Sequence, residues 1–491
     1  MAPYSDSMLG HKARSTAMLG VKEFSGITSD SRKVKPGYLF AALAGSKTDG
    51  AKFVKDAVTR GAVAVLGAPA MAGEVAALGV RFIAEDNPRA GLARYAAAFF
   101  PGQPDIVAAV TGTKGKSSIV AFLREIWTAL GLPAASLGTV GVTGPKGSVP
   151  LSHTTPDPVE IHELLAKLKQ DGVDHLAIEA SSHGLDQHRL DGVTISACGF
   201  TNITRDHMDY HPSFENYLAA KLRLFTEVVK DGGVAVVNAD AAHAERFIEA
   251  AKARGLKLIT VGRKGDTIHL DRREDRGGAQ ALTLHYGGKI FYVELPQAGE
   301  FQASNALVAA GLAIGLGADA AKVFAALEDL KGAPGRMEKV AFAKSGAPIY
   351  VDYAHTPDSL EKILEALRPH TAGQLHVVFG CGGDRDKGKR PLMGAIAVKL
   401  ADDVIVTDDN PRGEDPAVIR SEIMAAAKGA REIGDRAEAI HAAVKSLGTG
   451  DVLVIAGKGH ETGQYVKGEV HPFSDREQAI AAATQMGGRA A

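Results

Sequence analysis

The fold of this chain is decided by the stretch Val110-Thr111-Gly112-Thr113-Lys114-Gly115-Lys116-Ser117-Ser118. An apolar run at 106–110 leads into it and predicts a buried strand, and apolar residues at helical spacing after it predict an amphipathic helix. A glycine-rich turn between a strand and a helix points its backbone N–H groups and the helix N-terminus at anionic oxygens. We therefore expect a phosphate loop in which Lys116 reaches the terminal phosphates of a nucleotide and the Ser117 hydroxyl ligates Mg²⁺.

Length and composition limit what the protein can be. A chain of 491 residues, 45% of them hydrophobic, should hold two to four ordinary domains. Its formal net charge of −1 argues against nucleic acid or a membrane surface as the main partner. Cys198 and Cys381 lie far apart in apolar or glycine-rich sequence, so we expect small packed residues rather than a disulfide or a zinc site. The first 15 residues lack a hydrophobic signal core and no apolar run could span a bilayer, so we expect a cytoplasmic protein.

Short apolar runs alternate with Ala/Leu-rich segments along almost the whole chain, which favours βαβ units and mainly parallel sheets. We place domains at 1–104, 105–333 and 334–491, with a linker near Pro101 and Pro104. The predicted strands include Ala62–Leu66, Val80–Ala84, Ile106–Val110, His175–Ile178, Val234–Asn238, Leu258–Val261, Val377–Phe379, Val404–Val406 and Val452–Ile455. Because ligands of open α/β sheets bind beyond the carboxyl ends of the strands, the polar loops after these strands are candidate sites.

Two polar segments of the central domain could hold a second divalent ion near the nucleotide. Glu179 ends a predicted strand, and His207 lies in the segment Thr201-Asn202-Ile203-Thr204-Arg205-Asp206-His207-Met208-Asp209. Carboxylate oxygen suits Mg²⁺ well and imidazole less well, and the alternative for Glu179 is a helix cap. Composition alone favours a solvated helix position for Lys221. The neighbouring histidines are expected to be hydrogen-bonding scaffold residues: His183, His188 and His211.

Three loops of the last domain point to an anionic, zwitterionic ligand. The loop 380–390 carries four basic residues, and Arg385 stands where a dinucleotide fingerprint would need its third glycine, so NAD binding is not expected. Arg412 offers a planar fork that can hold a carboxylate in bidentate fashion, and Glu461 could receive an ammonium group. Together they would fit an amino acid, whereas each alone could equally form a surface ion pair.

In this order, the motifs resemble those of the Mur ligase family over nearly the whole chain. The stretches that carry the resemblance are Asp30-Ser31-Arg32, Pro36-Gly37, Asp49-Gly50, TGTKGKSS, His153-Thr154-Thr155-Pro156, EASSHGLDQHRL, NITRDHMDYH, Lys221, Asn305, PGRMEKV, DYAHTPDSL, GCGGDRDKGKRPLMG, DDNPR and GKGHE. The resemblance implies an α/β protein of three domains. These are a small N-terminal α/β domain for a UDP-linked substrate, a central P-loop ATPase domain with a mainly parallel sheet, and a C-terminal Rossmann-like domain for an amino acid.

The resemblance also implies roles for individual residues. ATP would be bound by Thr113, Lys114, Gly115, Lys116, Ser117, Ser118, Asn305, Arg336 and Asp352, with His355 in the same motif as Asp352. The UDP-linked substrate would be bound by Ser29, Ser31, His153, Thr154, Thr155, Ser181, Gln187 and Arg189. The amino acid would be bound by Arg385, Asp409, Asn410, Pro411, Arg412, Gly457 and Glu461. Mg²⁺ would be bound by Ser117, Glu179 and His207, and the catalytic set would be Lys116, Glu179, His207 and a carbamylated Lys221.

The implied reaction uses ATP and Mg²⁺ to join meso-2,6-diaminopimelate to UDP-N-acetylmuramoyl-L-alanyl-D-glutamate, a step of peptidoglycan precursor synthesis, through an acyl phosphate. A monomer without nucleic-acid or membrane partners is expected. The D-N-P-R motif is associated in the family with diaminopimelate rather than L-lysine, and Arg412 can pair with the distal carboxylate that lysine lacks. The alternatives are a lysine-adding ligase, a folylpolyglutamate synthase-like ligase and a nucleotide-dependent switch or binding protein. The chain departs from the family at Lys114, which replaces the usual Asn, at Ser117-Ser118, which replaces a Thr pair, and at His153, where some relatives carry Asn.

Overall fold

The computed structural model describes residues 20–45 and 49–491. The prediction about a signal core concerns the first 15 residues, which lie outside this range. Among the described residues, the helices are all too short or too polar to cross a membrane.

The first sheet is a small parallel sheet of four described strands in the order β1-β2-β3-β4. Its strands are β1 Gly26–Thr28, β2 Tyr38–Ala41, β3 Ala62–Gly67 and β4 Arg81–Ala84. Its helices are α1 Val54–Thr59, α2 Ala72–Ala76 and α3 Pro88–Phe99. Helix α3 begins where the Asn87 side chain accepts a hydrogen bond from the Ala90 N–H, with Pro88 at the first helical position.

The central sheet has eleven strands in the fully described range 105–333, in the order β15-β14-β13-β12-β11-β10-β5-β9-β6-β7-β8. Its strands are β5 Ile106–Thr111, β6 Ala134–Gly138, β7 Gly141–Gly144, β8 Gly147–Val149, β9 His175–Glu179, β10 Ile195–Phe200, β11 Val229–Asn238, β12 Lys257–Gly262, β13 Ile268–Arg276, β14 Ala279–Tyr286 and β15 Lys289–Leu295. Its helices are α4 Lys116–Ala129, α5 Pro158–Gln170, α6 Ser182–Asp186, α7 Phe214–Arg223, α8 Ala244–Ala253, α9 Glu300–Gly315 and α10 Ala320–Ala326.

Strand β5 lies between β10 and β9 inside the central sheet, and both of its faces are covered. Ala108 and Val110 point into a core shared with α4 and α9, while Val107 and Ala109 point into a second core on the opposite face. A strand buried on both sides reads as a continuous apolar run, which is the pattern that the sequence shows before the glycine-rich turn. This packing fixes the phosphate loop at the carboxyl end of the most protected part of the sheet.

The third sheet has seven strands in the described range 334–491, in the order β20-β19-β18-β21-β17-β16-β24. With the separate hairpin β22–β23, its strands are β16 Glu338–Phe342, β17 Pro348–Asp352, β18 Leu375–Phe379, β19 Asp403–Val406, β20 Arg431–Glu432, β21 Val452–Ala456, β22 Gly463–Val466, β23 Glu469–Pro472 and β24 Arg489–Ala490. Its helices are α11 Pro357–Leu367, α12 Lys389–Leu400, α13 Pro416–Met424, α14 Arg436–Ser446 and α15 Asp475–Gln485. The carboxyl ends of the parallel strands β18, β19 and β21 meet at one edge, where the polar loops follow.

The α/β class with mainly parallel sheets is confirmed, and each of the nine predicted strands lies at a strand of the structure. Both cysteines are buried and unpaired, as expected. The antiparallel extension β13–β15 was not predicted, because its charged and apolar residues alternate instead of forming an apolar run. The domain boundaries at 104/105 and 333/334 stay predictions.

Candidate active site

The phosphate loop turns at two glycines in backbone conformations that other residues rarely adopt. Gly112 has φ 149° and Gly115 has φ 87°. A Cβ at Gly112 would collide with Thr201 Oγ1, and one at Gly115 would collide with Asn305 Oδ1. The loop therefore lies directly against Asn305, which is buried in α9. This close approach is possible because Gly115 has no side chain.

Two lysines donate to the same carbonyl of this loop. Lys116 Nζ lies 2.9 Å from the Gly112 oxygen and 3.0 Å from the Thr113 oxygen. Lys221 Nζ lies 2.7 Å from the Gly112 oxygen, with its side chain 1% exposed and its ammonium group over the Tyr217 ring. The solvated position that composition favoured for Lys221 is therefore wrong, because the face of α7 that carries Lys221 packs against the loop.

Burial lowers the pKa of both amines. For Lys116 burial acts together with the charges of Lys114 and Arg336 and against that of Glu179. For Lys221 burial lowers the pKa well below its usual value, and the neighbouring Lys116 charge adds to the effect. Lys221 has no carboxylate within salt-bridge distance among the described residues. Its neutral form is thus favoured, and a neutral amine is the nucleophilic form.

Glu179 ends β9 beside the loop and is 1% exposed. Its Oε1 accepts a hydrogen bond from the Thr139 N–H at 2.8 Å, and its Oε2 accepts one from Thr139 Oγ1 at 3.2 Å. The helix-cap alternative is wrong, because Ser181 caps α6 through the Gly184 N–H. Ser117 and Glu179 line one small cavity, so a hydroxyl and a carboxylate face the same space.

His207 lies close to the two lysines, whose charges act on its ring. Burial is the main reason that its pKa falls, and the charges of Lys116 and Lys221 contribute. The ring packs edge-on against His183 at 5.0 Å between centroids, and burial lowers the pKa of His183 to about 4. Both imidazoles are therefore neutral near pH 7 and could offer a nitrogen lone pair. Groups of three or more His, Cys, Asp or Glu with metal-binding geometry are absent from residues 20–45 and 49–491.

A hydrogen-bonded network joins Glu179 to the segment predicted to hold the UDP-linked substrate. Thr154 Oγ1 lies 3.0 Å from Thr139 Oγ1, and Thr155 Oγ1 donates to the Glu179 carbonyl at 2.8 Å. Arg189 crosses the network, donating to the Thr155 carbonyl at 2.6 Å and to Gln187 Oε1 at 2.8 Å. The Ser181 N–H donates to Thr155 Oγ1 at 3.1 Å.

The remaining residues predicted for that substrate make no side-chain hydrogen bond to this network among the described residues. His153 is exposed and contacts its neighbour Ser152. Ser29 is exposed and Ser31 is buried at the start of a short 3-10 turn after β1. Burial raises the pKa of Glu160 in α5, and the charges of His153 and of Lys33 in that turn oppose the rise.

The start of the last domain reaches the phosphate loop. The Arg336 guanidinium stacks over the Tyr353 ring at 4.6 Å, and its buried Nε has no hydrogen-bond partner. Asp352 accepts hydrogen bonds from the Met337 N–H at 2.6 Å and the Ala354 N–H at 2.7 Å, and burial raises its pKa. The charge of Lys114 acts on Asp352, so the loop and this carboxylate are near each other.

The hairpin β22–β23 holds the backbone of the loop that carries Arg412. The backbone of Arg412 is left-handed, with φ 50°, and its N–H donates to the Tyr465 carbonyl at 2.8 Å. Its own carbonyl accepts from the Lys467 N–H at 2.6 Å. Arg412 Nη1 donates to the Gly383 carbonyl at 3.0 Å and would lie 2.7 Å from a Cβ at Gly382. The surface ion pair considered for Arg412 is absent from the described residues, where its partners are backbone carbonyls.

Asp409, Asn410 and Glu461 meet at the carboxyl ends of β19 and β21. Asn410 Nδ2 donates to Glu461 Oε2 at 2.8 Å. Asp409 Oδ1 accepts from the Asn410 N–H at 2.7 Å, while the buried Oδ2 has no partner and lies 2.6 Å from where a Cβ at Gly457 would be. Pro411 lies in the same loop, whereas Arg385 is exposed and makes no polar contact within the described part of the chain.

Comparison with known proteins agrees with a chain that has three main sheets and a phosphate loop. Residues 110–313 match the Mur ligase middle domain, residues 335–459 match the Mur ligase glutamate ligase domain, and residues 23–100 match the Mur ligase family catalytic domain. The chain belongs to the Mur ligase family.

Curated relatives of this Mur ligase resemble it over almost their full lengths. A protein of Bradyrhizobium diazoefficiens is 58% identical over 97% of this chain and 98% of its own, and one of Agrobacterium fabrum is 54% identical over 96% and 95%. Both are named UDP-N-acetylmuramoyl-L-alanyl-D-glutamate–2,6-diaminopimelate ligase. A solved structure of a ligase with that name is 35% identical, covers 94% of this chain and 95% of its own, and has a TM-score of 0.71.

Sequence reasoning missed two residues that organise the Mur ligase site. Thr139 binds both carboxylate oxygens of Glu179, and Lys458 is fully buried between Asn410 and Glu461. Thr139 carries no signal, since an isolated threonine in a turn is ordinary. Lys458 did carry a signal in the sequence. It lies two positions after the end of a strand that is buried along its whole length, and a lysine there must find acceptors inside the protein.

Proposed function

We propose that this Mur ligase joins meso-2,6-diaminopimelate to UDP-N-acetylmuramoyl-L-alanyl-D-glutamate through an amide bond, in a reaction that converts ATP to ADP and phosphate. The observation that carries the proposal is the convergence of Arg412, Asn410 and Glu461 at one edge of the third sheet, in a chain whose relatives bear this ligase name. A cationic fork and a carboxylate in one pocket match the ends of an amino acid.

The phosphate loop would bind ATP. Its backbone N–H groups and the start of α4 would face the phosphates, and Lys116 would exchange its two backbone acceptors for phosphate oxygens. Asn305 and Arg336 border this loop, and the unpartnered Nε of Arg336 is a donor available to a nucleotide. The full proposed set is Thr113, Lys114, Gly115, Lys116, Ser117, Ser118, Asn305, Arg336 and Asp352.

The donors beside the loop fit Mg²⁺. Ser117 and Glu179 offer oxygen atoms to one cavity, and the neutral imidazole of His207 lies near the same lysines. When bound, the ion would neutralise charge on the phosphate oxygens. The hydrogen bonds from Thr139 hold the Glu179 carboxylate in place for this task.

We propose that Lys221 is carbamylated. The reaction forms a bond between Nζ and the carbon of CO₂ and releases one proton, and it requires the neutral amine that burial favours here. The product places an anion beside the Lys116 ammonium group, which would neutralise part of the positive charge next to the loop.

The UDP-linked substrate would lie along the network that includes Thr154, Thr155, Ser181, Gln187 and Arg189, with His153, Ser29 and Ser31 toward its nucleotide end. In this position the D-glutamyl γ-carboxylate reaches the γ-phosphate that Lys116 contacts. Attack of a carboxylate oxygen on phosphorus breaks the bond to ADP and gives an acyl phosphate. The amine of diaminopimelate then attacks the acyl carbon, loses a proton and expels phosphate.

The third-sheet pocket would select diaminopimelate. Arg412 would pair with the distal carboxylate, Glu461 would receive an ammonium group, and Asp409 Oδ2 is a second free acceptor. L-Lysine lacks the distal carboxylate and would leave the guanidinium without an anion, which disfavours it. Arg385, Pro411 and Gly457 complete the proposed pocket. We also propose a cytoplasmic monomer with domains at 1–104, 105–333 and 334–491.

The test is phosphate release from ATP and Mg²⁺ with UDP-N-acetylmuramoyl-L-alanyl-D-glutamate, comparing meso-diaminopimelate with L-lysine. Release with diaminopimelate and little with lysine is expected. In the same assay, Arg412→Met should lower the preference for diaminopimelate by about 10- to 100-fold, since the loss of a charge-assisted pair costs about 1.5–3 kcal/mol. Preference for lysine would contradict the pocket assignment, and no release with either would contradict the ligase.

A further inference from the structure

Lys458 is the most completely enclosed lysine near the amino-acid pocket. Its side chain is 0% exposed, and it follows β21 directly in the segment Gly457-Lys458-Gly459-His460-Glu461. Its ammonium group has three acceptors: Gly463 O at 2.7 Å, Asn410 Oδ1 at 3.0 Å and Glu461 Oε2 at 3.2 Å. A lysine ammonium has three N–H donors, so each of them is used inside the protein.

These bonds determine which way the Asn410 amide faces. Its Oδ1 lies 3.0 Å from Lys458 Nζ and 3.1 Å from the Tyr465 backbone nitrogen. Both of those groups can only donate, so the atom they share must be the amide oxygen. The amide nitrogen is thereby directed at Glu461, where Nδ2 lies 2.8 Å from Oε2.

The same bonds divide the two oxygens of Glu461 into different roles. Oε2 accepts from both Lys458 and Asn410. Oε1 has no hydrogen-bond partner among the described residues, and the side chain is 28% exposed. Oε1 is therefore the oxygen left to receive an ammonium group from outside.

Lys458 also joins the pocket to the hairpin that holds Arg412. The hairpin strand β22 begins at Gly463, whose carbonyl Lys458 contacts, and Tyr465 of that strand accepts the Arg412 N–H. One buried ammonium group thus ties together the loop of Asn410 and Arg412, the loop of Glu461 and the hairpin.

We propose that Lys458 is a positioning residue for the amino-acid substrate: it presents Glu461 Oε1 and holds Arg412 in register with it. The proposal rests on the function proposed above, because Glu461 and Arg412 are the substrate contacts assumed there. It assigns Lys458 no contact with ATP, with the UDP-linked substrate or with reacting atoms.

The test is Lys458→Met, which keeps most of the side-chain volume and removes the charge and its donors. We measure kcat and the KM for diaminopimelate, ATP and the UDP-linked substrate, together with the preference for diaminopimelate over L-lysine. KM for diaminopimelate should rise about tenfold or more and the preference should fall, while KM for the other two substrates changes less than about twofold. Lys458→Gln, which retains an amide donor, should show the same split to a smaller extent and serves if the Met variant does not fold.

His376→Asn is the matched control for lost stability. His376 is equally buried in the same sheet, but it lies near the amino end of β18, opposite the pocket, between Asp403 and Asp451. This variant should unfold more easily without changing any of the three KM values. An equal rise of all KM values in the Lys458 variants, or no change in the diaminopimelate KM, overturns the proposal. Absence of diaminopimelate-dependent activity in the unmodified protein would instead refute the proposed function.

Discussion

The phosphate loop and the amino-acid pocket treat their buried cations in opposite ways. Lys116 and Lys221 donate to backbone carbonyls of the loop, and burial lowers the pKa of both. Around the pocket, Lys458 and Arg436 are equally enclosed but pair with Glu461 and Asp475. The two lysines of the loop therefore have no carboxylate within salt-bridge distance among the described residues, whereas both cations around the proposed pocket are paired with carboxylates.

The two arrangements differ in their effect on stability and on ligand binding. A buried cation without an anion reduces the free energy of unfolding but gives strong binding to an incoming phosphate. A buried cation with an anion keeps its loop in one geometry, which favours selectivity over raw attraction. Four changes test whether the two regions differ in this way.

The largest effect is expected at Lys116. Lys116→Met should lower kcat by about 10³-fold or more, because in the role proposed for Lys116 its ammonium group would stabilise the charge of the transition state on the transferred phosphate. The free energy of unfolding should change by less than about 1 kcal/mol, since Lys116 has no carboxylate to leave unpaired within salt-bridge distance among the described residues. Steady-state kinetics and urea unfolding of the same preparation measure both quantities. A large loss of stability would show that Lys116 is structural.

Arg436 should behave in the reverse manner. It is 0% exposed, donates to both oxygens of Asp475 at 2.7 Å and also contacts the Ala456 carbonyl. Arg436→Met should lower the free energy of unfolding by about 3–5 kcal/mol, because Asp475 would remain buried without a cation. The double variant Arg436→Met with Asp475→Asn should recover part of that loss in urea unfolding. Equal losses in the single and double variants would contradict the view that Asp475 neutralises Arg436.

Lys221 should sharpen the comparison through the pH dependence of stability. In CO₂-free buffer, the unfolded chain binds a proton at Lys221 up to pH about 10.4, while the folded chain binds it less well. The unmodified protein should therefore gain stability as pH rises toward that value. Lys221→Met should be equally stable or more stable near pH 7, by about 1 kcal/mol, with the difference shrinking at higher pH.

Thermal unfolding across this pH range measures the effect, and turnover of the same variant should fall sharply. Lys257, an exposed lysine at the start of β12, offers a control in Lys257→Met, which should leave the pH profile unchanged. A Lys221 variant that is strongly destabilised near pH 7 would contradict a low pKa for Lys221.

The smallest effect is expected at His376, near the amino end of the inner strand β18 of the third sheet. Burial alone would lower its pKa, but hydrogen bonds to Asp403 and Asp451 raise it above its usual value. The stabilisation is complete below pH about 6.5 and is lost as pH rises through the raised value. His376→Asn should therefore cost about 1 kcal/mol more at pH about 6 than at pH about 9, measured by urea unfolding. Equal costs at both values would mean that the histidine is neutral throughout.

Much of the fold could be predicted because its signals are local. Strands that are buried on both faces read as apolar runs, and each of the nine predicted strands lies at a strand of the structure. The β13–β15 extension escaped because strands with one exposed face carry charges at alternate positions. The position of Lys221 could not be predicted from composition, because it lies in an ordinary amphipathic helix pattern. Only the packing of α7 shows that its side chain faces inward.

The site divides in the same way. The phosphate loop could be predicted from the sequence alone, because a strand, two glycines in unusual conformations and a helix start are contiguous in the chain. Two contacts come from the tertiary fold: Lys221 shares the Gly112 carbonyl although it is 109 positions away in the chain, and Lys458 reaches Asn410 across 48 positions. Such contacts depend on which strands are neighbours in the sheets, and no spacing along the chain encodes that.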